Sequence, residues 1–442
     1  MGVSGLESDL KHLVGDILDE ARRQGATAAE VSVGDDEGLT IVVRQRDIET
    51  IEFSQDRGFG ITVYAGARKG TATTSDSRPE AVRETVGAAL GIARHTEDDE
   101  CNGLADPERM ARDLPDLDLH HPWTMDADAL RDLALETEAT ALDYDGRIVN
   151  SEGAEVATQR SCRVYGNSHG FLGAVTGTRH SVHCAVVAGD DAGMERDQFY
   201  SIARDPENLD SHVSVGEEAA RRALARLGTK PIRTGNWPVL FSPRMAAGLI
   251  GHLVGAISGG ALYRRASYLT DSLGKPVAAK GITLAEYPHL PKGLGSAGFD
   301  GDGVATASKA FVHAGRLDHY VLGSYSARRL GMQTTGNAGG VFNLRLETDT
   351  VCPKALMREM GTGLVVTELM GQGIDLVSGH YSRAAAGFWI ENGEPAFPVE
   401  KVTIASTLNE MYHGIVAAGD DIDRRSNVHT GSILVRSMTV AN

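Results

Sequence analysis

Apolar positions change period along this chain in a way that separates helices from strands. Between Leu10 and Gln24, residues Leu10, Leu13, Val14, Ile17, Leu18 and Ala21 recur at helical spacing and Gly25 ends the run, which predicts an amphipathic helix. Glu30 to Val33, Leu39 to Arg46 and Gly58 to Tyr64 are short, β-branched and bounded by Gly or acidic residues, so they read as three strands of an antiparallel sheet. Ser77 and Glu80 stand at capping-box spacing around Pro79, and Val82, Val86, Ala89, Leu90 and Ala93 mark the apolar face of the helix they announce. The acidic, Pro-containing stretch Thr96 to Pro122 has little periodicity and reads as a connection. A third helix, Ala127 to Leu142, leads into alternating strands from Gly153 to Ala188, including Ser161 to Asn167 and Ser181 to Val187. A fourth helix spans Asn208 to Leu227, and Gly228 to Pro238 has the Gly and Pro content of a boundary.

Beyond that boundary Gly becomes dense and β-like runs dominate through Val440, with helices expected only over Arg244 to Gly260 and Pro353 to Gly361. Asn392-Gly393, set between Phe388 to Ile390 and Phe397 to Val399, is a hairpin signature because both residues accept positive backbone angles. The pattern predicts an α+β fold, with helices flanking an antiparallel sheet in the N-terminal half and a mainly β C-terminal half. The expected units are an N-terminal α+β subdomain (1–95), a central one (96–228) and a C-terminal mainly β domain (229–442).

Composition narrows the class of function. With 442 residues, 41% of them hydrophobic and 23% charged, the chain is globular and large enough for more than one domain. A net charge of -17 leaves no broad basic footprint for nucleic acid, and the pairs Arg328-Arg329 and Arg424-Arg425 are expected in solvent or in salt bridges. The four cysteines are scattered without CxxC spacing, no secretory leader is evident, and no run reaches the ~20 apolar residues of a membrane span. A cytoplasmic protein bound neither to membrane nor to nucleic acid is expected.

Candidate chemistry centres on His252, the one imidazole in the small-residue stretch MAAGLIGHLVGAISGG. Hydrolytic zinc needs paired imidazoles, a further ligand and a carboxylate to deprotonate the bound water, and Leu253, Gly255 and Ala256 supply none of these. HExxH, GxSxG and Walker A patterns are absent. In TTGNAGG, Gly336, Gly339 and Gly340 read first as turn formers and second as a pocket lining. His380, Tyr381, Ser382 and Arg383 form the densest polar cluster, either facing a cavity or partner or making a β-turn.

The stretch GLIGHLVGAISGGALYRRASYLTDSLGK resembles TldE/PmbA-type members of the TldD/PmbA family. So do DRGFGITVYAGARKGTATTSD, YSARRLGMQTTGNAGG, LVVTELMGQGIDLVSGHYSRAAAGFWIENGE and GDDIDRRSNVHTGSILV, which together span both halves of the chain. In that family the sister TldD subunit carries an HExxxH helix and a later cysteine that bind zinc and supply the base. The resemblance sets Gly251 at the first histidine, His252 at the glutamate, Ala256 at the second histidine and Thr430 near the cysteine. It implies no catalytic residue and no metal in this chain, with zinc in a TldD-like partner. The implied assembly is a metallopeptidase acting on extended or unfolded peptides or on leader peptides, with His380, Tyr381, Arg383 and His429 as candidates for lining the substrate or partner cavity. Two alternatives remain: a stand-alone peptide-binding or regulatory homodimer, and a self-sufficient metallopeptidase using His252 and His429. The family's older label, modulator of DNA gyrase, finds no support as DNA binding in so acidic a chain.

Overall fold

The computed structural model describes residues 3–191 and 193–442. The N-terminal half is built from α1 (Val3–Arg23), β1 (Ala28–Arg44), β2 (Asp47–Ala65), β3 (Arg68–Thr74), α2 (Pro79–His95), α3 (Ala127–Leu142), β4 (Ile148–Asn167), β5 (Leu172–Asp190), β6 (Gly193–Ala203) and α4 (His212–Ala225). Its strands form one antiparallel sheet in the order β3-β2-β1-β4-β5-β6. The strands are long because two helix pairs lie in tandem on one face. Val31 and Val33 of β1 are buried with α1 and α2, and Ile41 and Val43 with α3 and α4.

This length overturns one expectation. Glu30 to Val33 and Leu39 to Arg44 belong to a single strand, Gln45 and Arg46 form the turn after it, and the acidic run between the two segments is not a turn. Asp35, 1% exposed between the two cores, is paired across the sheet with Arg57 at 2.6 Å, and Arg160 lies 3.9 Å away. Pairing by flanking strands lets a carboxylate occupy a buried strand position that propensity alone disfavours. The expected capping box is also absent: α2 begins after Arg78 without a side-chain cap, because Asp76 accepts the Arg78 N–H at 2.9 Å and binds its guanidinium. The expected apolar face of α2 is buried in full.

The C-terminal half contains β7 (Gly235–Phe241), α5 (Pro243–Ala256), α6 (Gly259–Tyr263), β8 (Thr283–Glu286), β9 (Lys309–His313), β10 (Arg316–Leu317), α7 (Ser324–Arg329), β11 (Leu344–Glu347), β12 (Thr350–Val351), α8 (Pro353–Met360), β13 (Gly363–Met370), β14 (Ile374–Asp375), β15 (His380–Glu391), β16 (Glu394–Thr407), α9 (Leu408–His413), β17 (Ile415–Gly419), β18 (Val428–His429) and β19 (Ile433–Ala441). The larger sheet closes on itself, since β7 pairs with β13, β13 with β15, β15 with β16, β16 with β19, and β19 again with β7. Closure removes edges from these five strands. Pro238 sits inside β7 opposite the register shift between Val435 and Met438, a place where a missing N–H costs little. Asn392 (φ 52°) and Gly393 (φ 78°) make the expected hairpin turn between β15 and β16. The second sheet, β10-β9-β8-β11-β18, shares a large core with α5 and the closed sheet. The fold is α+β, as the apolar pattern predicts.

Gly387 of β15 tests how tightly this closure is packed, because a Cβ there would lie 1.8 Å from the Val365 carbonyl oxygen of the neighbouring strand. Gly387→Ala is expected to destabilise the fold by about 3 kcal/mol, read as a lower urea midpoint with an unchanged slope. A midpoint equal to that of the wild type would show that the ring of strands can breathe.

Candidate functional site

α5 runs from β7 toward the centre of the C-terminal half and buries Ala246, Leu249, Ile250, Leu253 and Ala256 against the closed sheet. Its apolar, small-residue sequence suits a helix packed on several elements at once. The expected single helix from Arg244 to Gly260 is broken at Ile257. There the chain turns to pair with Val321, through Val321 N to Ile257 O at 3.0 Å and Gly259 N to Val321 O at 2.9 Å, before α6 begins.

The positions singled out by sequence reach very different surroundings. Gly251 is exposed, with open space where a side chain would stand. His252 is half-buried, its ring 6.0 Å from the Tyr381 ring at 64°. Ala256 is fully buried, and its carbonyl accepts the Ser267 hydroxyl at 2.6 Å. Thr430 is fully buried too, and its hydroxyl donates to Gly431 O at 3.0 Å. These residues do not fit zinc: two have no donor atom, and the threonine oxygen is engaged with its own backbone. Among the described residues, no group of three or more His, Cys, Asp or Glu side chains is placed to hold a metal ion.

The cluster from His380 to Arg383 is strand, not turn, and strand alternation splits it. Tyr381 is 2% exposed and its phenol is pushed up to about 12, chiefly by burial. Arg383 lies on the same side and donates to Leu369 O at 3.3 Å, while its Nε is buried without a partner. Burial, and then the Arg383 charge, lower the His252 pKa, so the imidazole is neutral at physiological pH and beside a fixed cation. His380, by contrast, is exposed, and its Nδ1 meets Ser378 Oγ at 2.8 Å. The Ser378 hydroxyl donates to Asp375 at 2.6 Å, so His380 Nδ1 donates to Ser378 Oγ and the imidazole does not take the serine proton as a base. His429 pairs in register with Arg345 on β11, and burial followed by that arginine lowers its pKa. α5 packs on β18, yet His252 faces Tyr381 and Arg383 whereas His429 sits beside arginines. An arginine near each histidine opposes a divalent cation at either.

Comparison with known proteins places this arrangement. Residues 29–93 match PmbA/TldA metallopeptidase domain 1, 120–227 the central domain and 234–442 the C-terminal domain. The chain is 46% identical over 413 residues to "Metalloprotease PmbA" of Escherichia coli O157:H7, covering 93% of this chain and 92% of that one. The chain belongs to the PmbA/TldD metallopeptidase family. Two crystal structures share the fold: a protein from Bacteroides thetaiotaomicron VPI-5482 described as a modulator of DNA gyrase (TM-score 0.93, 24% identity, 98% of both chains), and TldE from Thermococcus kodakarensis (TM-score 0.84, 20% identity, 97% of this chain and 100% of that one). In this family member α5 carries a single imidazole, packed on Tyr381 and influenced by the Arg383 charge.

Sequence reading found His252, but it missed that Tyr381 packs against its ring and that the charge of Arg383, on the same side of β15, acts on it. The serine-arginine pair after a Gly-His-Tyr was visible, and only the strand direction decides which member turns inward. Replacing Arg383 by Gln is expected to move the His252 titration midpoint upward part of the way, because burial persists while the like charge is removed. Histidine imidazole NMR across pH 4 to 8 reads this directly, and an unmoved midpoint would refute the pairing.

Proposed function

We propose that this chain is the non-catalytic subunit of a two-subunit metallopeptidase, with zinc and the general base in a TldD-like partner and extended or unfolded peptides, leader peptides among them, as substrates. The observation that carries this reading is His252 itself, which the family resemblance sets at the catalytic carboxylate: its ring packs on Tyr381, and burial and then the Arg383 charge lower its pKa. That charge opposes the metal ion that would activate water, and no carboxylate on α5 supplies the base. Retention of the helix and its packing without its chemistry fits a subunit that shapes a shared cavity.

A surface suited to a partner supports the same reading. β3 pairs with β2 only from Phe59 to Ala65, so residues 47–58 present a free sheet edge. On it Ile51 is 52% exposed and Phe53 63% exposed, beyond the cover of the helices. A long edge bearing large apolar side chains is what a soluble chain covers with another polypeptide. No helix among the described residues is long and apolar enough to cross a membrane, and the acidic charge favours no nucleic-acid partner. We place the assembly in the cytoplasm.

Combining the chain with a TldD-like subunit is expected to raise cleavage of unfolded peptides above that of the TldD-like subunit alone. The double substitution Ile51→Asp with Phe53→Asp is expected to weaken the association at least about tenfold while leaving the thermal midpoint within a few degrees. Cleavage that is identical with and without this chain would refute the subunit role, and association of this chain only with itself would select the homodimer. Stoichiometric zinc on the isolated chain that is lost in His252→Ala would overturn the metal-free assignment.

A further inference from the structure

A cavity of about 630 Å³ lies where the two halves of the molecule meet, with β6 and α4 on one side and the start of α5 and residues 421–425 on the other. Five arginines line it: Arg221 and Arg222 of α4, Arg244 of α5, and Arg424 and Arg425. Their guanidinium groups are not equivalent. Arg221 and Arg222 share Glu218, at 2.7 and 2.6 Å. Arg425 holds Asp423 through two N–H groups, at 2.9 and 2.8 Å, and donates to Tyr200 O at 3.1 Å. Arg244 and Arg424 form neither a hydrogen bond nor an ion pair among the described residues, and both are exposed, so a ligand in the cavity can reach them.

Aromatic rings fix where three of these cations stand. The guanidinium carbons of Arg222 and Arg425 each lie 4.6 Å from the centre of the Phe199 ring, and those of Arg425 and Arg244 lie 5.0 and 5.7 Å from the centre of the Tyr200 ring. Two neighbouring residues of β6 thus gather cations from α4, α5 and the segment after β17. Contact with a ring holds a guanidinium without using its N–H donors. Arg244 therefore keeps its whole planar fork, the shape that matches a carboxylate.

The carboxylates around the cavity are engaged, with one exception. Asp423 holds Arg425, Asp197 lies 3.6 Å from Arg226, and Asp421 accepts the Ser432 N–H at 2.9 Å and its hydroxyl at 2.7 Å. Only Asp210 accepts no bond through its carboxylate among the described residues, so two unengaged guanidinium groups border the space against one unengaged carboxylate. A ligand with a single negative charge suits that surplus. A phosphate dianion would add repulsion from Asp210, Asp421 and Asp423. Phe388, Ile202 and Ile422 line the same cavity and offer apolar surface to the chain that carries the charge, Ile422 being 44% exposed.

We propose that this cavity binds a carboxylate, presented as the C-terminal end of a peptide or as an acidic side chain, with Arg244 as its fork and Arg424 as a second cation. The proposal does not rest on the two-subunit reading, because every group named belongs to this chain.

Isothermal titration of the full chain at neutral pH tests it, with N-acetyl-trialanine, N-acetyl-trialanine amide, N-acetyl-alanyl-glutamyl-alanine amide and inorganic phosphate as probes. Binding of one or both peptides that carry a carboxylate, tighter than phosphate and without binding of the neutral amide, is expected. Which of the two binds more tightly tells a peptide terminus from an acidic side chain. The double substitution Arg244→Gln with Arg424→Gln removes no hydrogen bond or ion pair, so the thermal midpoint should stay within a few degrees while the carboxylate binds at least about tenfold more weakly. Arg112→Gln, at an exposed arginine outside the cavity, should bind as the wild type does. Equal binding of the neutral amide, tighter binding of phosphate, absence of heat from every probe, full affinity in the double variant or an equal loss in Arg112→Gln would each overturn the proposal.

Discussion

A carboxylate with no exposed surface has to be answered by whatever folds around it, and Glu286 imposes that condition on the C-terminal half. It is fully buried at the end of β8. Lys309 of β9 meets it at 2.5 Å, the Asn337 amide spans both its oxygens, and the Phe342 N–H donates at 2.8 Å. Desolvating a charge is costly, and only several charge-assisted hydrogen bonds together offset it. Satisfying Glu286 therefore seats β9 against β8 and sets the course of the glycine-rich loop from 336 to 343. Gly336, Gly339 and Gly340 take positive φ along that course, so the loop is a turn as well as a cavity lining.

The same principle joins the two halves of the molecule. Arg204, at the end of the N-terminal sheet, donates to Gly293 O and Leu294 O at 3.0 Å each, and burial lowers its pKa to about 10. Arg328 of α7 reaches back to Cys101 O, Gly103 O and Leu104 O in the connection before α3. Arg425 holds Asp423 at 2.8 Å, donates to Tyr200 O at 3.1 Å and lies over the rings of Phe199 and Tyr200. Guanidinium groups suit this role because several N–H donors in one plane can serve backbone carbonyls of different segments. The arginines that might suggest a basic surface are thus engaged within the fold, in keeping with a chain of net charge -17.

α5 is first of all a packing element. The helix keeps its packing, including the Tyr412 hydroxyl donating to Leu249 O at 2.8 Å, while the residues along it offer one imidazole and no carboxylate. Neither flanking position adds a polar side chain, since Gly251 faces open space and Ala256 fills a buried position. The burial that holds α5 in place also keeps His252 uncharged, so the packing of the helix and the charge state of its imidazole share one cause.

By itself the sequence determined what is local. The apolar face of α2, the span of α3, the Asn392-Gly393 turn and the β character of the second half were all legible, because helical and strand periods and turn residues act over a few neighbouring positions. That Gly251, Ala256 and Thr430 bring no imidazole, carboxylate or thiolate was legible too, since it concerns residue types and not their surroundings. Tertiary structure alone decided that Asp35 lies within one continuous strand opposite Arg57, and that Tyr381 of β15 packs against His252 of α5. Each of these depends on groups far apart in the chain meeting in a low-dielectric interior, where the partner, not the local pattern, sets whether a polar side chain is tolerated and which way it points.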